Sequence, residues 1–191
     1  MNDSTGKLVI ISAPSGTGKG TVINELLKQR PDFVFSVSAT TREPRPGEDN
    51  GVDYHFITKQ RFKEMIDSDE FLEYAEYVGE YYGTPATPVE KSIDSGVTIL
   101  LDVEVQGAKQ VMKKRNDAIS IFITPPDMQE LENRLRGRGT DSEEKLTARL
   151  KRAQLELEEK SNYNHIVVND DAFRAAHEIL SIIDNYDRKD Q

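Results

Sequence analysis

The sequence predicts an α/β fold: a mainly parallel sheet flanked by helices, with a small inserted α+β domain and a helical lid. Three observations carry this expectation. Apolar runs at 8–11, 97–103, 118–123 and 166–168 lack polar alternation, as strands covered on both faces require. Helical patterns alternate with them, near 20–29, 86–95, 105–115, 127–136, 142–160 and 171–187. Between 36 and 90 the texture changes to Gly, Pro, Tyr and short alternating runs, with one helical pattern near 58–67. The expected organisation is a single domain over 1–191, with a core at 1–35, 91–133 and 153–191, an insert at 36–90 and a lid at 134–152.

The first strand runs into Ser12-Ala13-Pro14-Ser15-Gly16-Thr17-Gly18-Lys19-Gly20-Thr21, and Val22, Ile23, Leu26 and Leu27 then mark one face of a helix. Strand, glycine-rich loop and helix N-terminus aim several backbone N–H groups at one point, which favours bound phosphate. This is a phosphate-binding loop of the Walker A kind, and it points to a nucleotide enzyme. Two positions depart from Gly-x-x-x-x-Gly-Lys-Ser/Thr: Ala13 stands at the first glycine and Gly20 at the hydroxyl. Context distinguishes the motif from Gly6-Lys7, a bare pair with no loop around it. The spacing also excludes the dinucleotide fingerprint Gly-x-Gly-x-x-Gly. Lys19 is expected to reach the β- and γ-phosphates as a mobile point charge. With no hydroxyl at Gly20, either Thr21 supplies a ligand to Mg²⁺ or the ion is held by water and phosphate oxygens.

In the insert, Arg42 and Arg45 offer planar guanidinium forks suited to bidentate contact with a phosphate dianion. Tyr54 and Tyr82 add hydroxyl donors for the same phosphate. Asp102 ends the strand 97–103, at the C-terminal edge where open parallel sheets bind ligands. Its carboxylate orders Mg²⁺ through water, steadies Lys19 and Arg45, or simply caps the next helix. Glu104 lies two residues on and faces the same side of a strand. In the lid, 134–152 is dense in Arg, Glu and Gly and reads as exposed and mobile. Arg134 and Arg138 share a helical face if the helix persists that far, and Arg149 lies beyond Gly137 and Gly139. Arg136 and Arg152 read as partners of surface carboxylates. A phosphate loop, an insert and an arginine lid on one core suggest a kinase that closes over two substrates.

Composition bounds the partners. Acidic residues number 34 against 25 basic, and a net charge of −9 argues against nonspecific binding to nucleic acid or anionic membrane. Cysteine is absent, so neither disulfides nor thiolate metal sites are available. The three histidines are isolated and carry no metal-ligand spacing. The first apolar run is too short for a signal core or a membrane span, so the cytoplasm is expected.

The segment Phe35-Ser36-Val37-Ser38-Ala39-Thr40-Thr41-Arg42-Glu43-Pro44-Arg45-Pro46-Gly47-Glu48, continuing to Gly51-Val52-Asp53-Tyr54-His55-Phe56, closely resembles the monophosphate-binding signature of guanylate kinases. The same family order continues through Glu70-Phe71-Leu72-Glu73-Tyr74, Tyr81-Tyr82-Gly83-Thr84, Leu101-Asp102-Val103-Glu104-Val105-Gln106-Gly107, Arg134-Leu135-Arg136-Gly137-Arg138-Gly139-Thr140 and Val167-Val168-Asn169-Asp170-Asp171. The resemblance spans nearly the whole chain and implies ATP-dependent phosphorylation of GMP, and of dGMP, with Mg²⁺. It implies that Arg42, Arg45, Tyr54 and Tyr82 hold the GMP phosphate. Glu73 matches the carboxylate that reads guanine, and Ser38 and Thr84 match the hydroxyls lining the base. A carboxylate accepts two hydrogen bonds side by side, which suits the adjacent N1–H and N2 amino donors of guanine. By the same resemblance Arg134, Arg138 and Arg149 swing onto the ATP phosphates and Asn169 lies near the adenine. Relatives often carry Asp where Glu104 stands. Non-catalytic guanylate-kinase-like binding modules have degraded phosphate loops, whereas Lys19 and the loop glycines are intact in this chain. A kinase for another phosphorylated acceptor is the rival that Glu73, Ser38 and Thr84 argue against.

Overall fold

The computed structural model describes residues 6–137 and 142–186. Its elements run β1 Leu8–Ser12, α1 Lys19–Gln29, β2 Val34–Phe35, β3 Ala39–Thr40, β4 His55–Phe56, α2 Lys59–Asp67, β5 Phe71–Tyr77, β6 Glu80–Pro85 and α3 Ala86–Asp94. They continue with β7 Ile99–Asp102, α4 Val105–Lys114, β8 Ile119–Thr124, α5 Met128–Gly137, α6 Glu143–Glu158, a 3₁₀ turn Glu159–Asn162, β9 His165–Val168 and α7 Ala172–Asn185. Each predicted helix and strand is present, with ends displaced by a residue or two. The exception is the predicted 142–160 helix, whose last residues tighten into the 3₁₀ turn.

The larger sheet has the strand order β2-β7-β1-β8-β9. β1 pairs parallel to β8 from Val9↔Ile119 to Ser12↔Phe122, and β8 pairs parallel to β9 from Ile121↔His165 to Thr124↔Val168. β1 and β8 are buried at every residue, as their unbroken apolar runs require. β9 departs from expectation. Ile166 and Val168 are 46% and 40% exposed, because β9 is the edge strand and keeps only Val167 fully inside.

The smaller sheet has the order β4-β3-β6-β5, with β5 and β6 forming an antiparallel hairpin. The register of that hairpin shifts between Phe71 and Glu73, so the bulge at Leu72 sets Glu73 opposite Thr84.

Packing divides the chain into two compact units. One comprises Met1–Leu8, Phe33–Leu101 and Gln106–Ala118, which is wider than the 36–90 stretch alone. Its aromatic core stacks Phe62 on Phe71 at 4.4 Å between ring centroids and on Tyr81 at 5.3 Å, with Ala39 and Met65 buried beside them. Thr58 caps the helix that carries Phe62, its hydroxyl accepting from Arg61 N at 3.1 Å. The other unit comprises Val9–Asp32, Asp102–Val105 and Ile119–Gln191. There α1 packs on α7, and Leu131 and Leu135 of α5 pack with Leu146 and Ala153 of α6. The stretch 134–152, expected to be exposed, instead buries Leu135 and Leu146 among its described residues. Leu146, Leu150 and Ala153 form a helical stripe within the charge-rich run and bury it against α5.

Candidate active site

The phosphate loop is built within the second unit. Thr17 closes it, donating through Oγ1 to Pro14 O at 2.8 Å and through its backbone N–H to the same oxygen at 3.2 Å. Gly16 and Gly18 adopt φ of +92° and +91°, the left-handed region that a side chain would strain. The space is also taken: a Cβ at Gly16 would lie 2.5 Å from Leu135 Cδ2, and one at Gly18 would lie 2.7 Å from Asn169 Nδ2. Gly20 differs, since nothing lies within 4 Å of the place where its Cβ would be. Thr21 beside it is exposed on α1.

Lys19 opens α1 with its ammonium paired to Asp102, and it donates to Val103 O at 3.3 Å. Of the partners open to Asp102, Lys19 is the one it pairs with among the described residues. Arg134 donates through Nη1 to Thr17 O and through Nη2 to Asn169 O, each at 3.0 Å, while Glu130 holds its Nε at 2.7 Å. Asn169 is buried, and its Nδ2 donates to Thr17 O at 2.7 Å. Two donors therefore fix one loop carbonyl, turning the carbonyl side of the loop toward α5 and the end of β9. Arg149 Nη2 donates to Ser15 Oγ at 2.8 Å. Arg136 pairs with Glu132 and Glu143, as expected of a surface arginine. Arg138 lies outside the described residues. Glu104 is bound at 2.8 Å by Arg152, which also pairs with Glu156.

A second group of the predicted site residues lies within the first unit, on the smaller sheet. Arg42 follows β3 and forms a bidentate pair with Glu48, Nη1 to Oε2 at 2.8 Å and Nη2 to Oε1 at 2.9 Å. That pair holds the Glu48 carboxyl down at about 2 and raises the guanidinium, which Tyr82 also supports by hydrogen bonding. The Arg42 guanidinium stands 5.4 Å from the Tyr54 ring centroid and 5.7 Å from that of Phe56. Tyr54 and Tyr82 meet edge to face at 6.1 Å. Arg42, Tyr54 and Tyr82 thus form one cluster. Arg45 joins it through its backbone N–H, which donates to Glu48 Oε2 at 2.7 Å, while its side chain is exposed. Along the same sheet Glu73 is buried, 8% exposed, and Thr84 Oγ1 donates to its Oε1 at 2.6 Å. Ser38 is half-buried ahead of β3.

Over residues 5–186 the chain matches the family model described as guanylate kinase. The chain belongs to the guanylate kinase family. The guanylate kinase of Prochlorococcus marinus subsp. pastoris is 48% identical to it over 177 residues, 93% of this chain and 96% of that one. That of Trichodesmium erythraeum is 52% identical over 166 residues, covering 87% and 89%. The crystal structure of guanylate kinase from Anaplasma phagocytophilum superposes with a TM-score of 0.75 at 36% identity, covering 96% of this chain and 87% of that one. A mainly parallel sheet flanked by helices is accordingly the guanylate kinase architecture in this chain.

Sequence reasoning assigned no role to Glu48, Glu130, Gly107 or Gln110. Glu130 carried a signal, since it stands four residues before Arg134 on a helix. Glu48 carried none, because its pairing with Arg42 depends on how the Pro-rich turn folds back.

Proposed function

We propose that this chain transfers the γ-phosphoryl group of ATP to GMP, giving ADP and GDP, with dGMP as a second acceptor, in purine nucleotide metabolism and GMP recycling. The observation that carries this reading is the buried Glu73 carboxylate, fixed by Thr84 on the sheet that also bears the Arg42–Tyr54–Tyr82 cluster. A buried carboxylate with one oxygen already oriented meets the two neighbouring donors of guanine. Adenine would turn a lone pair toward it. Mispairing of that kind rejects an analogue by roughly 10⁴-fold or more. Arg42, Arg45, Tyr54 and Tyr82 bind the GMP phosphate, Ser38 lines the base with Thr84, and Glu104 contributes to the GMP side. Residues Ala13, Pro14, Ser15, Gly16, Thr17, Gly18, Lys19, Gly20 and Thr21 hold the ATP phosphates, with Arg134, Arg138 and Arg149 from the lid and Asn169 toward the adenine.

The acceptor oxygen of GMP is already anionic at neutral pH, so no side chain has to remove a proton. It forms the new P–O bond as the β,γ-bridging bond breaks and its electron pair leaves with ADP. Catalysis is then positioning and charge stabilisation by Lys19, Arg45, Arg138 and Arg149.

Mg²⁺ fits the donors available. Asp102 and Thr21 offer hard oxygen atoms, and among the described residues no cluster of three or more His, Asp or Glu is placed to cage a metal. That suits an ion that arrives with the nucleotide and keeps much of its water. Asp102, through water, and Thr21 would hold it, and when bound it neutralises charge on the phosphates. Among the described residues no helix is long and apolar enough to cross a membrane. Free nucleotides as both substrates agree with the cytoplasm as the compartment and with neither nucleic acid nor membrane as a partner.

The test is ADP formation from MgATP with GMP, dGMP, AMP, UMP and dTMP in turn. Turnover confined to GMP and dGMP is the expected result. Turnover with another monophosphate would overturn the role given to Glu73, and none in a folded sample that binds GMP would overturn the enzyme.

A further inference from the structure

Helix α4 lies along β5 and touches it at three points spaced on one helical face, residues 107, 110 and 114. Lys114 Nζ donates to Phe71 O at 2.7 Å. Gln110 uses both ends of its amide on one residue, Nε2 donating to Tyr74 O at 2.9 Å and Oε1 accepting from Tyr74 N at 3.2 Å. The third point carries no side chain. A Cβ on Gly107 would lie 2.6 Å from Glu73 Oε2, 3.1 Å from its Cδ and 3.4 Å from its Cγ. Gly107 is buried and is not at a positive φ, so its backbone imposes no need for glycine. Glycine is also a poor helix residue. What requires it is the carboxylate.

Thr84 pins Oε1, and the bare face of α4 leaves room for Oε2. We propose that Gly107 is a specificity-determining positioning residue: by having no side chain it lets the Glu73 carboxylate take the orientation that reads guanine. This rests on Glu73 being the reader of the base. A methyl group at 107 meets first the far end of a flexible side chain and not backbone. The carboxylate therefore swings away while helix and strand keep their places. The defect falls on the base and leaves the phosphate cluster and the ATP loop alone.

The experiment is Gly107→Ala, alone and in a Glu73→Ala background, with kcat and KM measured for GMP, IMP and ATP and folding checked by thermal melting. IMP lacks the 2-amino group, so it depends less on the carboxylate. The expected result for Gly107→Ala is a rise in KM for GMP of about ten- to a hundredfold. KM for ATP stays within about twofold, the preference for GMP over IMP narrows, and Glu73→Ala abolishes any further effect of Gly107→Ala. An unchanged GMP KM in Gly107→Ala, or an equal loss in both backgrounds, would overturn the inference. If Glu73→Ala alone leaves GMP use intact, the base-reading role fails instead. The ¹³C chemical shift of the Glu73 carboxyl carbon in Gly107→Ala then decides whether residue 107 positions it. A shift unchanged from the parent protein sinks the positioning role. If the Ala variant does not fold, Gln110→Ala, which frees Tyr74 beside Glu73, must reproduce the GMP-specific rise, and its failure to do so overturns the inference.

Discussion

Lys19 is held in place, its ammonium paired to Asp102 and bonded to Val103 O. A lysine oriented in this way places its charge near the loop at little further entropic cost. Lys19→Ala is therefore expected to lower kcat by about 10²–10³-fold or more with the fold retained, since it deletes one preorganised charge. Steady-state kinetics with a melting curve checks this, and near-normal kcat in a folded variant would refute it. Arg42 is held in a similar way by Glu48, and here pH supplies the test. The folded Glu48 carboxyl sits at about 2, below its usual 4.5, so its pairing stabilises the fold fully above pH 4.5 and loses that effect as pH falls toward 2. The melting temperature of Glu48→Gln is expected to lie below that of the parent at pH 7, with the gap closing below pH 4.5. A gap that stays constant across this range, followed by calorimetry, would remove the pair from the acid response.

Elements hold the proposed site residues through ordinary local chemistry. Asp171 caps α7, its carboxylate accepting from Arg174 N at 2.9 Å, two residues after the buried Asn169. Asp171→Ala is expected to cost about 1 kcal/mol, a fall of about 2–4 °C in melting temperature, with KM for ATP and GMP unchanged. A change in KM would mean that the cap also sets Asn169. The periodicity of α1, α5 and α7 made these elements legible, because each buries a regular apolar face. β1 and β8 were legible for the same reason. What could not be read was the burial of β9, since edge or interior depends on strand order. The bulge at Leu72 and the 3₁₀ turn after α6 likewise depend on tertiary neighbours. The site divides in the same way. Lys19, Arg42 and Glu73 have side chains whose chemistry announces a role, whereas Glu48 and Gly107, though inside motif segments, and Gln110 outside them, show theirs only through contacts that folding creates.

At the scale of the whole molecule, the proposed ATP residues Lys19, Arg134 and Asn169 belong to one compact unit and the proposed GMP residues Arg42, Tyr54 and Glu73 to the other, while Glu104 falls in the unit of Lys19. Each ligand is therefore expected to stabilise the chain on its own. At about a hundred times its dissociation constant a ligand adds about 2.7 kcal/mol, roughly 5–10 °C in melting temperature. Lys19→Ala should lose the ATP shift and keep the GMP shift, and Arg42→Ala should do the reverse. Thermal melting with each nucleotide alone decides this, and loss of both shifts in either variant would contradict the division. The Gln110 amide has a consequence for the protein in a crowded solution. β5 is an outer strand of seven residues, with Tyr74 and Tyr77 exposed, and such a strand invites another chain to extend the sheet. A side-chain amide spans the N–H and C=O of Tyr74 as a neighbouring strand would, and Lys114 occupies the carbonyl of Phe71. The contacts of α4 on β5 thus leave β5 a poor template for aggregation.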